Sequence, residues 1–189
     1  GFASAVSRDG SVVVGSFSKA DSSDATAWMW TSDGGVRLLP RLNKQESATA
    51  ISADGQLIGG MFQTPAGNYR SALWHPTFGA VALNEYLPRL GVDMDGWSLG
   101  FIAGISADGT RIAGSGTHNG NPRAWLVTGF TPINLCPADF NHDWEVDDAD
   151  FVVFVAEYDT FICADSAMTL WCPADLNHDG VVDDADFVV

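Results

Sequence analysis

Residues 136–189 contain no lysine and no arginine, although they hold fourteen aspartates and glutamates. A segment of that charge repels phosphate and anionic lipid, which argues against nucleic acid and membrane surfaces as partners. It calls for cations, from a metal or from a protein. Residues 1–135 are nearly balanced, with ten acidic against nine basic side chains, so almost all of the formal charge of −15 lies in the C-terminal part. Long hydrophobic runs are missing too: none approaches the roughly 18 residues of a membrane-spanning helix. Cysteine is scarce, at three residues, and no Cys-x-x-Cys pair occurs, so zinc-ribbon chemistry is not expected. The first residues show no Met, no basic n-region and no apolar h-region, and so no signal peptide to read.

What the acidic part does contain is one line written twice. CPADFNHDWEVDDADFVVF runs from Cys136 to Phe154, and CPADLNHDGVVDDADFVV runs from Cys172 to Val189. Counted from Asp139, the first copy places Asp139, Asn141, Asp143, Glu145, Asp147 and Asp150 at positions 1, 3, 5, 7, 9 and 12. The second places Asp175, Asn177, Asp179, Val181, Asp183 and Asp186 in the same slots. This is the spacing of a twelve-residue calcium loop, in which alternate side chains turn oxygens inward and position 7 contributes its carbonyl. Two Ca2+ sites are therefore expected. His142 and His178, at position 4, are expected to face solvent. Position 6 usually needs a backbone that glycine supplies cheaply. Gly180 stands there in the second loop but Trp144 in the first, which predicts a weaker first site. Asp147 is a good N-cap, and Phe151, Val152, Phe154, Val155 and Tyr158 follow with helical spacing as one apolar face.

Position 12 is Asp rather than the usual Glu, and each loop is approached through Cys-Pro-Ala with no helix before it. A calcium loop with only its exiting helix, given twice, resembles the dockerin domain, which docks secreted bacterial enzymes onto cohesin receptors. The Cys-Pro-Ala-Asp start is similar to cysteine-bearing dockerin-like repeats of secreted proteins. The resemblance implies calcium binding, protein–protein anchoring and a cohesin-like or cell-surface partner. Positions 10 and 11, where dockerins usually carry Ser/Thr-type contacts, hold Asp148 and Ala149, then Asp184 and Ala185.

The cysteines read as a staple. Cys136 precedes the first loop and Cys163 follows its helix, closing a ring of about 27 residues worth roughly 3 kcal/mol in the chain-entropy model. The same spacing puts the partner of Cys172 beyond Val189, leaving Cys172 as an orphan. On this reading the chain is a fragment cut at both ends, from an oxidising, extracellular compartment.

The first part repeats as well. AVSRDGSVVVG (5–15), AISADGQLIGG (50–60) and GISADGTRIAG (104–114) align, and each is followed by Ala27-Trp28-Met29, Ala72-Leu73-Trp74 or Ala124-Trp125-Leu126. Ser-x-Asp-Gly reads as a hairpin turn with Gly at positive φ. Gly15, Gly59, Gly60 and Gly114 are expected to let neighbouring sheets approach closely. Fourth strands are expected at Gly35–Leu39 and Gly79–Leu83. The pattern resembles the HAF-type extracellular repeat, which implies a secreted, propeller-like β domain. The expected fold is thus mainly β, an incomplete set of propeller-like four-stranded repeats over 1–133, plus a small α calcium-loop module over 134–189.

No catalytic constellation emerges. Asp9, Asp54 and Asp108 recur in every repeat, as turn residues would. His75 and His118 lack a paired nucleophile, and Asp93 and Asp95 beside Trp97 read as a solvated loop, with a glycan as the alternative. The leading expectation is a non-catalytic binding or structural protein. Its rival is a tethered polysaccharide hydrolase with its catalytic part elsewhere or at a propeller mouth. A calcium sensor is disfavoured by the missing entering helices and Met-rich groove.

Overall fold

The computed structural model describes residues 1–18, 24–132, 138–140, 146–158, 163, 172, 174–177, 179–183 and 185–186. The chain divides into two compact units. One comprises Gly1–His75 with Ala80–Pro132, the other Pro76–Gly79 with Ile133–Val189.

The first unit is built from three antiparallel sheets, one per sequence repeat. β1 (Phe2–Val6), β2 (Val12–Ser18), β3 (Ala25–Thr31) and β4 (Gly35–Leu38) form the first as a simple meander. β5 (Lys44–Ile51), β6 (Ile58–Gln63), β7 (Tyr69–His75) and β8 (Gly79–Ala82) form the second. The third contains β9 (Trp97–Ile105), β10 (Arg111–His118) and β11 (Asn121–Thr128), with three strands among the described residues. The first strand of each later sheet packs on the sheet before it: β5 lies against β1, β2 and β3, and β9 against β5, β6 and β7. One element was not anticipated. The expected strand at Gly79–Leu83 stops at Ala82, and Leu83 opens a short helix, α1 (Leu83–Arg89), that buries Leu83, Tyr86 and Leu87.

The Ser-x-Asp-Gly turns share one plan, with an extra hydroxyl bond in the first and third. In the first, Asp9 Oδ1 accepts from Ser7 Oγ (2.8 Å), Ser11 N (3.0 Å) and Ser11 Oγ (2.8 Å), while Val12 N donates to Ser7 Oγ (3.0 Å). Asp54 accepts from Ser52 Oγ and Gln56 N, and Asp108 from Ser106 Oγ, Thr110 N and Thr110 Oγ1. Gly10, Gly55 and Gly109 take φ of 76°, 77° and 71°, where a side chain would be strained. The turns are also bonded to one another: Arg8 N donates to the Ala53 carbonyl (3.1 Å), and Ala53 N to the Ala107 carbonyl (3.0 Å).

A second device recurs inside each sheet. The pairing skips one residue of the first strand, Ser4, Thr49 or Ala103, so each first strand carries a β-bulge at the same place. Opposite stand Gly15, Gly60 and Gly114. A β-carbon there would lie 2.0 Å from the Phe2 carbonyl oxygen, 1.9 Å from that of Ser47 and 1.9 Å from that of Phe101. These three glycines therefore serve the strand pairing within a sheet, not the approach of neighbouring sheets. Gly59 does serve the latter, since a β-carbon on it would lie 2.7 Å from Ile102 Cγ2 and 3.0 Å from Ile105 Cδ1.

The register also corrects one alignment. Trp28 pairs with Gly15 and Trp125 with Gly114, but Gly60 pairs with Ala72. Trp74 instead faces Ile58, as Trp30 faces Val13. The second repeat is thus offset by one residue, and one step along a strand reverses the face. Trp74 is fully buried and donates Nε1–H to the Pro40 carbonyl (2.8 Å).

Two outcomes are expected. Gly60→Ala should cost about 3 kcal/mol or more in urea unfolding, the upper range for overpacking. Gly104→Ala, where a β-carbon meets nothing within 4 Å, should stay within about 0.5 kcal/mol. The second outcome concerns acid. Hydrogen bonds from Ser11 N, Ser7 Oγ and Ser11 Oγ hold the Asp9 carboxyl at about 2, against an ordinary 3.8. Those from Ser106 Oγ, Thr110 N and Thr110 Oγ1 do the same for Asp108. A lowered folded-state pKa gives stability that is present above the ordinary value and lost as pH falls through the folded one. Asp108→Asn should therefore destabilise at pH 6, with the gap to wild type narrowing between pH 3.8 and about 2.

Candidate metal centre

In the second acidic copy, the loop winds around its first carboxylate. Asp179 N and Gly180 N donate to the two Asp175 oxygens at 3.1 and 2.9 Å. Asp179 N also reaches Asn177 Oδ1 (2.9 Å), and Val181 N reaches Asp179 Oδ1 (3.0 Å). Gly180, at position 6, has φ +90°, the conformation expected of that slot. The position-12 carboxylate closes the loop from the far side. Asp186 Oδ1 accepts from Leu176 N (2.8 Å) and Asn177 N (3.1 Å), and its Oδ2 accepts from Asp183 N (2.9 Å).

The first copy repeats this exit. Asp150 Oδ2 accepts from Asp147 N (2.9 Å), Asp147 Oδ1 accepts from Ala149 N (2.7 Å), and the helix α2 (Asp148–Tyr158) follows. The bond from Ala185 N to Asp183 Oδ1 (2.8 Å) is its counterpart. Asn141, Asp143, Glu145, His142, Trp144 and His178 lie outside the described residues.

Among the described residues, the same two slots are buried in both copies. Positions 1 and 12, Asp139, Asp150, Asp175 and Asp186, are 3, 3, 6 and 1 % exposed. Burying a carboxylate costs several kcal/mol unless its charge is met. Backbone N–H groups meet part of that cost at Asp150, Asp175 and Asp186, and residues 136–189 contain no Lys or Arg. A hard divalent cation suits an all-oxygen donor set of this kind, so the residues fit calcium. Among the described residues, however, no three loop carboxylates come within 4.8 Å of one another. The group that does is Cys163, Cys172 and Asp175.

That group is no thiolate site, because Cys163 and Cys172 form a disulfide, with Cα atoms 5.4 Å apart. This overturns the expected Cys136–Cys163 staple and the orphan role of Cys172. Cys163 N donates to the Gly180 carbonyl (3.1 Å), which lays Cys163 along the second loop rather than the first. Both sulfurs join a cluster around Phe154, Ala174 and Val182, with Phe140 and Tyr158 against it. α2 supplies Phe154 and Tyr158 to that cluster while Phe151, Val152 and Val155 are exposed, so the expected single apolar face is divided.

The β unit offers lesser candidates. A pocket of about 230 Å³ is lined by Ser52, Asp54, Leu57, His75, Asp108 and Pro132. Sequence reasoning did not unite His75 with two turn aspartates from different repeats, since only the stacking of the turns does so. Burial pushes the His75 pKa down, with Asp54 opposing, and the Ser52 hydroxyl holds that of Asp54 down. Asp95 N donates to Asp93 Oδ1 (2.9 Å) in a local turn, and Trp97 stacks on His118 at 4.7 Å. Glu46, another residue with no sequence signal, is fully buried. Its Oε1 accepts from Leu42 N and Asn43 N, and its Oε2 lies 3.3 Å from Arg41 Nε, which ties the chain leading into β5. Burial raises its pKa against these contacts.

No protein-family model matches the chain, and no curated protein matches it. The disulfide is open to direct assay. Peptide mapping without reductant should recover Cys163 joined to Cys172 and Cys136 as an alkylated thiol, whereas a Cys136–Cys163 peptide would contradict the pairing.

Proposed function

We propose that this is a secreted, non-catalytic binding or structural protein. In it, a propeller-like array of HAF-type β repeats carries a dockerin-like module that binds two calcium ions and anchors the array to a cohesin-like or cell-surface protein. One observation carries the reading: both acidic copies bury the carboxylates of positions 1 and 12 and repeat the same position-9 to position-12 hydrogen bonds. Asp139, Asp147 and Asp150, with Asn141, Asp143 and the Glu145 carbonyl, would hold one ion. Asp175, Asn177, Asp179, Asp183 and Asp186, with the Val181 carbonyl, would hold the other. The disulfide supports an extracellular location.

Catalysis is disfavoured at the His75 pocket because its carboxylates are committed. Asp54 and Asp108 already accept two and three hydrogen bonds, which makes them poor bases. A glycan remains a second ligand class, since Tyr69, Phe101 and Arg123 line an open groove of about 640 Å³.

Calcium titration tests the reading. Chelator should reduce the helical circular dichroism of α2 and leave the β signal, and Asp150→Ala or Asp186→Ala should lower affinity at its own site by at least about 10-fold. His178→Ala should change nothing. If Trp144 is held at positive φ, Trp144→Gly should strengthen the first site by about 1 kcal/mol, the usual cost of such a conformation. A helical signal indifferent to chelator would remove calcium from the account.

A further inference from the structure

The contact between consecutive repeats is made twice, and the parts for a third are exposed. At one register position each sheet presents a cross-strand apolar pair: Val14 with Met29, Gly59 with Leu73, and Ala113 with Leu126. In the first two repeats the pair is buried, under β5 and β9 respectively. In the third, Leu126 is 62 % exposed. The complementary strand is exposed as well. Ile102 and Ile105, which sit on Gly59, correspond in the repeat to Ala48 and Ile51 and to Ala3 and Val6. Ile102 and Ala48 are fully buried, whereas Ala3 is exposed and Val6 is 57 % exposed beside Phe2 at 78 %.

We infer that the Ala113/Leu126 face of one copy receives β1 of a second copy of this chain, in the same geometry that joins the repeats within it. Continuity with the internal contacts specifies the occupant. Met29, Leu73 and Leu126 keep an apolar side chain at this place in all three repeats, and the strand that covers it elsewhere recurs as β1. The turn ladder extends the same way. Each donor N–H lies one repeat ahead of its acceptor, Arg8 to Ala53 and Ala53 to Ala107, which sets Ala107 N–H on the Arg8 carbonyl of the next copy. Charge does not oppose the contact, because residues 1–135 are nearly neutral. Two different surfaces meet, so the association is head-to-tail.

The test uses the calcium-loaded 189-residue chain in sedimentation equilibrium up to about 1 mM, the weak end of measurable affinity. Wild type should gain mass with concentration, and Leu126→Lys and Val6→Lys should each be monomeric. Mixing the two variants should restore association, because one intact Leu126 face and one intact β1 remain. Circular dichroism checks folding, and Ala113→Lys with Ala3→Lys repeats the experiment if either variant misfolds. A monomeric wild type would overturn the proposal and leave the face to another repeat of the same polypeptide or to an unrelated protein. Association that survives both variants, or that mixing does not restore, would also overturn it, the latter by indicating a symmetric face-to-face contact.

Discussion

Three carbonyl oxygens, of Phe2, Ser47 and Phe101, point across their sheets at Gly15, Gly60 and Gly114, where no β-carbon fits. The bulges at Ser4, Thr49 and Ala103 direct them there, and much of the first unit depends on those bulges. A bulge bends its strand and increases the local twist. It also turns the extra residue away from the pairing. Thr49 uses that freedom to donate its hydroxyl to the Ile102 carbonyl at 2.6 Å, joining the second sheet to the third. The distortion that excludes a side chain on one strand thus creates a link between sheets on the other.

The second unit is governed by a different constraint, the cost of enclosing charge. Among the described residues its core centres on Phe154, Ala174, Val182 and the Cys163–Cys172 disulfide. Beside that core the described residues include four buried carboxylates, Asp139, Asp150, Asp175 and Asp186. A fold of this kind gains little from apolar burial alone, so the compensation of those carboxylates decides whether its loops stay closed. Amide groups from residues three to ten positions away supply part of it. On the proposed function, a divalent ion bound there would add to it, and its binding energy would then be folding energy.

Features that depend on near neighbours were legible in the sequence. The Ser-x-Asp-Gly turns, the strands on either side of them and the helix after Asp147 all rest on contacts within a few residues. The repeated acidic line also pairs Asp139 with Asp175 and Asp150 with Asp186, and all four are buried. Features that depend on distant packing were misread. Spacing suggested Cys136 for Cys163, but the Gly180 carbonyl holds Cys163 beside the second loop. Aligning Ala72 with Ala27 ignored a one-residue offset that only strand pairing reveals. The helix at Leu83–Arg89 is short, contains Pro88 and is fixed by burial of Leu83, Tyr86 and Leu87, none of which has a local signature.

The ladder linking Arg8, Ala53 and Ala107 uses main-chain atoms alone, at the one turn position the motif leaves free. An arginine and two alanines serve there equally, because the side chain takes no part. A repeat duplicated or deleted by recombination would therefore meet its new neighbour with every ladder donor and acceptor already in place. The main chain at the joint thus tolerates a change in repeat number, while side-chain contacts such as Ile102 on Gly59 decide which repeats can be neighbours.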